Sequence, residues 1–423
     1  MDAPVRGQLG VEGRGQKLPL SHGDDPTRAL LGAEDLDVLA HLFHPGRPDE
    51  DRAERMAEEG AAGQDEIDIL MRKARARLRA TGTGKAAVGA LPAVLILGEA
   101  GSAKEATVAE FPISQSIAGV SMRLKPGAMR ELHWHSLAAE WAYMLEGRCR
   151  GTVISPNGQS EITDFGPGDT WYFPRGHGHM LQGLGPGECH FLLGFDNGHF
   201  SEYGTFSITD WIATTPPQVL SRVLGLPASA LAQFPKKEVY IGPGKVPTEP
   251  IENFRDGQLQ PTQSSHKYRL DMQPPKVFPG GREFIVSSKE FPIQTTLTAV
   301  RMDLQPGALR ELHWHPHADE WQYYVRGRAR VGIFGSHGRV RTEEFGPGHV
   351  GFINQGYGHY IEQIGDEPTE VLILFNSGEF QEISLANWLG GNPVSILQDN
   401  FSIPKSLADQ LPKRETGILA RKA

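Results

Sequence analysis

The sequence predicts a mainly β protein: two tandem β-barrels with short helical tails, behind a partly helical N-terminal extension. Three observations carry this. The stretch PGAMRELHWHSLAAEW (126–141) returns as PGALRELHWHPHADEW (306–321), a constant offset of 180 residues. Self-similarity at a fixed period sets the architecture before any local reading. Each copy also breaks into short runs rich in β-branched and aromatic residues, such as GVSMRLKPG, DTWYFPRG and CHFLLGFDNG, separated by turn signals. Finally, 50 Gly and 31 Pro in 423 residues suit many strands joined by tight turns.

Taken in order, residues 1–95 form an extension of unknown role, rich in Ala, Gly, Arg and acidic residues. Its one helical stretch is Asp65–Arg79, where Ile67, Ile69, Leu70, Ala74 and Leu78 make an apolar stripe. Residues 96–255 form the first barrel unit, with turns at Pro126-Gly127, Pro156-Asn157-Gly158 and Gly166-Pro167-Gly168. Short helices are expected over 210–234, followed by a Gly/Pro/Gln-rich connection over 241–265. Residues 256–423 form the second unit, whose turns fall at Pro306-Gly307, Ser336-His337-Gly338 and Gly346-Pro347-Gly348. The segment 385–411 mirrors the helical tail of the first copy.

Composition narrows the function classes. A net charge of −9 with interspersed signs argues against a nucleic-acid partner. No apolar run reaches membrane-spanning length and no secretion signal is visible, so a cytoplasmic location is expected. Cys149 and Cys189 are too few for a disulfide framework or a thiolate zinc site.

The repeat also carries a metal-ligand pattern. His133, His135, Glu140 and His179 recur as His313, His315, Glu320 and His359. Residues two apart on a strand project to one face, so the His-x-His pair points into the barrel while Trp134 points away. The Glu opens the next strand and the last His arrives from a hairpin partner, leaving coordination positions open for water or substrate. His177, two residues before His179, competes for the last place, but the 180-residue register favours His179 because Tyr357 stands opposite His177. Three imidazoles and one carboxylate suit iron, zinc, nickel, copper or manganese, and affinity alone does not choose among them.

These same residues carry a resemblance. PGAMRELHWH, the following Glu140 and GDTWYFPRGHGH resemble the two motifs of the cupin superfamily. The flanking text over residues 100–411 is similar to the bicupin oxalate decarboxylases. The resemblance implies two cupin barrels of the double-stranded β-helix, or jelly-roll, type. It also implies Mn(2+) in each, hence two per chain, and conversion of oxalate to formate and carbon dioxide with dioxygen as co-catalyst. Family relatives assemble as trimers or hexamers, so a homo-oligomer is expected.

The copies differ after the last barrel strand: FSEYGTFSITDW (200–211) in the first, FQEISLANW (380–388), three residues shorter, in the second. Extra residues beside a metal mouth, with Gly204 to hinge them, suit a movable lid. The resemblance makes Glu202 the lid proton donor and brings Ser201 and Thr205 into register with the family's lid, Thr205 on the substrate side. Tyr203 and Gly204 depart from it, which leaves an oxalate oxidase, or an enzyme of another small carboxylate, as the alternative. Arg130 and Arg310 precede the ligand runs, and a guanidinium fork suits a carboxylate. Strict alternation puts Arg130 on the face opposite His133, so the inward pose that the resemblance implies requires a local bend. Trp171 and Phe173 are expected to fill the core. In the second copy Ile373 stands where the family carries a Glu, and Asn354 replaces the turn proline represented by Pro174. Both differences point to the second site as the weaker catalyst. A storage or binding bicupin without catalysis is the competing class, against which all eight ligand residues stand intact.

Overall fold

The computed structural model describes residues 89–90, 93–97, 99–252, 261–262 and 264–421. The expected helix over 65–79 lies outside the described residues, as does most of the extension.

Each repeat folds into two antiparallel sheets that face one another around a core. In the first, a seven-stranded sheet runs in the order Lys267–Arg269, Asp169–Phe173, Glu140–Glu146, Cys189–Phe195, Ala118–Leu124, Gly101–Ala106, Ala93–Leu97. A six-stranded sheet opposes it, with Met129–Trp134 paired to Gly178–Gly183 and flanked by Phe206–Ser207 and Ile241–Gly242. The second repeat reproduces both sheets. Strand exchange at the edges ties the repeats together. Lys267–Arg269 joins the first barrel's sheet, while Gly89–Ala90 pairs with Val350–Ile353 of the second barrel.

The large sheets are buried on both faces, which is why their strands read as almost unbroken apolar runs. In Glu140–Glu146, Ala142 and Met144 face the first barrel's core, whereas Trp141 and Tyr143 face a second cluster shared with Trp321, Tyr323, Leu372 and Leu374. Here the repeat is broken for a steric reason. Gly119 and Gly194 are neighbours across the strand pair. A Cβ on Gly119 would lie 2.2 Å from Trp321, and one on Gly194 would lie 2.1 Å from Leu374. The corresponding positions of the second barrel hold Ala299 and Leu374 itself. One sheet supplies the hollow and the other the side chains that fill it.

Helices Ile208–Thr214 and Leu385–Gly390 follow the barrels. Ser207 and Ser384 cap them, accepting from the N–H groups of Asp210 and Asn387. Among the described residues, no helix is long and apolar enough to cross a membrane.

Candidate active site and its two metal centres

The ligand strand of each barrel carries one extra residue. His133 pairs with His179, yet Arg130 pairs with Leu181, so three positions on one strand match two on the other. The same bulge separates the His313–His359 and Arg310–Ile361 pairs. A bulge turns the chain over by one residue. Arg130 therefore points inward with His133 although they are three apart, and Arg130 and Glu131 are both buried. This is the bend that the inward arginine requires.

The eight predicted ligands gather into two groups: His133, His135, Glu140 and His179, and His313, His315, Glu320 and His359. Their donor atoms lie within 4.8 Å of one another in each group. His179 stands in the first group; His177 lies outside it, with its ring 6.1 Å from His266. Second partners set the tautomers. The Nδ1–H groups of His133 and His179 donate to the Glu131 and His177 carbonyls at 2.5 and 2.8 Å. Those of His313, His315 and His359 donate to Glu311, Gln381 and Tyr357 at 2.7, 2.8 and 3.0 Å. Each such bond leaves an unprotonated Nε2 facing the group. Burial, then Arg130, depresses the His133 pKa well below the ordinary imidazole range. Burial alone would raise the Glu140 carboxyl, but His179 and His135 hold it well below its usual range. Nε2 of His179, His315 and His359, and Oε2 of Glu320, are buried with no hydrogen-bond partner among the described residues. Neutral imidazoles, an ionised carboxylate and converging orphan lone pairs fit a divalent cation at both places.

The carboxylate ligands are oriented differently. Trp171 Nε1–H donates to Glu140 Oε1 at 2.7 Å, so this tryptophan fills the core and also steadies a ligand. In the second barrel Gly351 occupies the corresponding position, and Gln322 donates to Glu320 Oε1 at 2.6 Å. Tyr324 in turn donates to Gln322 at 2.7 Å. Replacing Trp171 with Phe keeps the bulk and removes the donor. Metal affinity at the first site is expected to fall about 10–100-fold, read by competition with a chelator, while Glu320's site is unaffected.

Beside the first metal group, Glu202 opens a short 3-10 turn, Glu202–Gly204, capped by Ser201. Glu202 is 2% exposed, whereas Tyr203, which departs from the family's motif, is 50% exposed. Glu202 Oε2 receives Arg130 Nη2–H at 2.9 Å and the Tyr240 hydroxyl at 3.0 Å. The Tyr240 ring also lies against the Arg130 guanidinium, 4.0 Å away. Thr205 closes the turn, and its Oγ1 is buried without a partner among the described residues.

Three residues of this environment were not singled out from the sequence. Tyr240 has φ 56°, the left-handed region, where the second barrel has Gly417 at φ 63°. A tyrosine held there, with its ring and hydroxyl both engaged, is strain retained at a working site. Glu382 stands 180 residues beyond Glu202, so the repeat register already contained it, and it pairs with Arg310. Glu105 receives Ser201 Oγ–H at 3.2 Å and the Glu202 N–H at 3.2 Å, fastening this turn to the barrel wall.

Burial, then Glu110, pushes the Glu105 carboxyl from 4.5 up to about 8. Between those values the folded protein keeps a proton that the unfolded chain has released. Stability therefore falls as pH rises through this window. Glu105→Gln is expected to flatten that loss between pH 5 and 8, an effect on the order of a few kcal/mol, measured by denaturant unfolding. An unchanged slope would contradict it.

Asn354 keeps the local turn although it replaces a proline. It makes the same turn as Pro174: the Tyr357 N–H reaches the Asn354 carbonyl at 3.1 Å, and the His177 N–H reaches that of Pro174 at 3.1 Å. Ile373 lines the second cavity beside His313 and His315.

The cupin family profile matches residues 91–230 and 268–408, once per barrel. Oxalate decarboxylase OxdC of Bacillus subtilis is 41% identical over 326 residues, which is 77% of this chain and 84% of that protein. The chain belongs to the bicupin oxalate decarboxylase family. A probable oxalate decarboxylase of Arthroderma benhamiae is 35% identical over 75% of this chain and 78% of its own length. A solved structure of the Bacillus subtilis decarboxylase, from work on its Mn(II) centres, aligns with a TM-score of 0.76 at 39% identity. It covers 81% of this chain and 90% of that one.

Proposed function

We propose that this bicupin decarboxylates oxalate to formate and carbon dioxide at the N-terminal site, with Mn(2+) in both barrels and dioxygen as co-catalyst. The observation that carries the placement is the buried Arg130–Glu202–Tyr240 cluster against the first metal group. The bound metal supplies Lewis-acid and redox character to activate the substrate. Arg130 offers Nε and Nη1, both buried without acceptors, to a substrate carboxylate. Glu202 then places a proton on the carbon that becomes formate, and Tyr240 and Arg130 hold its carboxyl in position while it does so. Hydrogen oxalate thus yields formate and carbon dioxide with no net oxidation. Thr205 Oγ1 supplies a further polar contact on the lid side. The shielded site limits water access once the lid is down.

The functional units are taken as residues 96–255 and 256–423. A homo-oligomer fits the exposure of Trp211 and Trp388, each 60% exposed on corresponding helical tails, and a trimer or hexamer follows from the family resemblance alone. A cytoplasmic location remains part of this reading. The experiment that tests it is quantitation of formate, carbon dioxide and peroxide from oxalate with manganese-loaded protein. Formate and carbon dioxide in equal amounts support it; peroxide without formate makes the protein an oxidase.

A further inference from the structure

The two sites differ in how their arginines are held. On the corresponding strands Gly101–Ala106 and Gly281–Val286, the inward positions read Gly101, Ala103, Glu105 in the first copy and Gly281, Glu283, Ile285 in the second. The carboxylate has moved by two residues, one side-chain repeat of a strand, so it stays inside the barrel. In the first barrel it latches the lid. In the second, Glu283 Oε1 lies 2.8 Å from Arg310 Nε. Arg310 is bound from its other end by Glu382 through Nη2. Glu283 and Arg310 line the same small cavity, about 20 Å³, as His313, His315 and Glu320.

Among the described residues, Arg130 has one carboxylate partner, Glu202, and keeps both Nε and Nη1 buried without an acceptor. Arg310 has two carboxylate partners and keeps only Nη1. The first guanidinium meets one carboxylate, whereas the second meets two. A buried guanidinium attracts an incoming anion only while its charge and its N–H groups are not already taken.

We propose that Glu283 closes the C-terminal site to dicarboxylates. By neutralising Arg310 and occupying its Nε–H, it leaves a centre that holds metal but does not accept oxalate. Ala103 at the same place is what leaves Arg130 open. The inference rests on the reading that oxalate is the substrate of the N-terminal site.

The test is anaerobic calorimetric titration of oxalate into protein carrying two manganese ions per chain. The forms are wild type, Arg130→Ala, and Arg130→Ala combined with Glu283→Ala or with Glu283→Gln. Wild type binds one oxalate per chain, and Arg130→Ala loses that event. Adding Glu283→Ala creates a new event at one per chain, about ten-fold or more tighter than the residual binding of Arg130→Ala, as expected for freeing one charge-assisted contact. Glu283→Gln keeps the side-chain volume and shifts affinity in the same direction, which separates charge from space. Manganese content of two per chain establishes that each form is folded and loaded. Double variants that bind oxalate no better than Arg130→Ala would overturn the proposal, as would a wild type with two equal oxalate sites. A wild type that bound no oxalate would instead overturn the proposed substrate.

Discussion

Glu202→Gln is expected to lower formate production from oxalate by about 10²–10⁴-fold, the range of a positioned general acid. The substitution preserves the shape of a buried side chain bonded to Arg130 and Tyr240. It removes only the transferable proton and the charge. Manganese content is expected to stay at two per chain, because Glu202 is not among the grouped ligand residues. Oxalate consumed by the variant should appear as carbon dioxide with peroxide rather than formate. A variant that retained wild-type formate rates would remove Glu202 from the chemistry. The family's lid is altered here only at Tyr203, which is exposed, and at Gly204, whose added Cβ would meet no atom within 4 Å. Both changes leave the inward face of the turn to Glu202.

Loss of one imidazole from either barrel is expected to separate the two centres. His135→Ala and His315→Ala each remove a ligand from one group and leave the other intact. Manganese should fall from two to about one per chain in both variants, since three remaining ligands hold a labile divalent ion poorly. Formate production should fall to background in His135→Ala and persist in His315→Ala. The reason is structural: among the described residues, Tyr240, the Glu105 contacts and the longer turn at Glu202–Gly204 stand beside the first group. Where the first barrel has Tyr240 the second has Gly417, and the peptide of Gln381 is committed to His315 Nδ1. If His315→Ala abolished turnover while keeping one manganese, the C-terminal centre would be a working part of the reaction.

The sequence made the metal centres legible because ligand spacing on strands is a local property and the repeat doubled every signal. His-x-His, the following Glu and the distant His needed only the period of a strand and the pairing of a hairpin. Barrel class and helical tails were legible for the same reason. The pose of Arg130 was not. A bulge is a one-residue mismatch between paired strands, and it appears only when His133–His179 and Arg130–Leu181 are aligned together. Tyr240 and Glu105 were hidden by distance, since they reach Glu202 from 38 and 97 residues away. Trp171 read as core and is core, but its single N–H serves Glu140, a dual role no pattern announces. Glu382 was legible in principle, standing one repeat beyond Glu202, yet the three-residue shortening beside it masked the match. Gly119 and Gly194 show the reverse case: departures from the repeat that mark where two barrels must approach closely.

The most direct measurement is a product assay of manganese-loaded protein with oxalate at about pH 4–5, within the ordinary carboxylic acid range. Formate, carbon dioxide and peroxide are quantified in the same reaction. The geometry around Glu202 predicts formate and carbon dioxide in equal amounts with little peroxide. Peroxide in place of formate, or no turnover with both centres loaded, would contradict it.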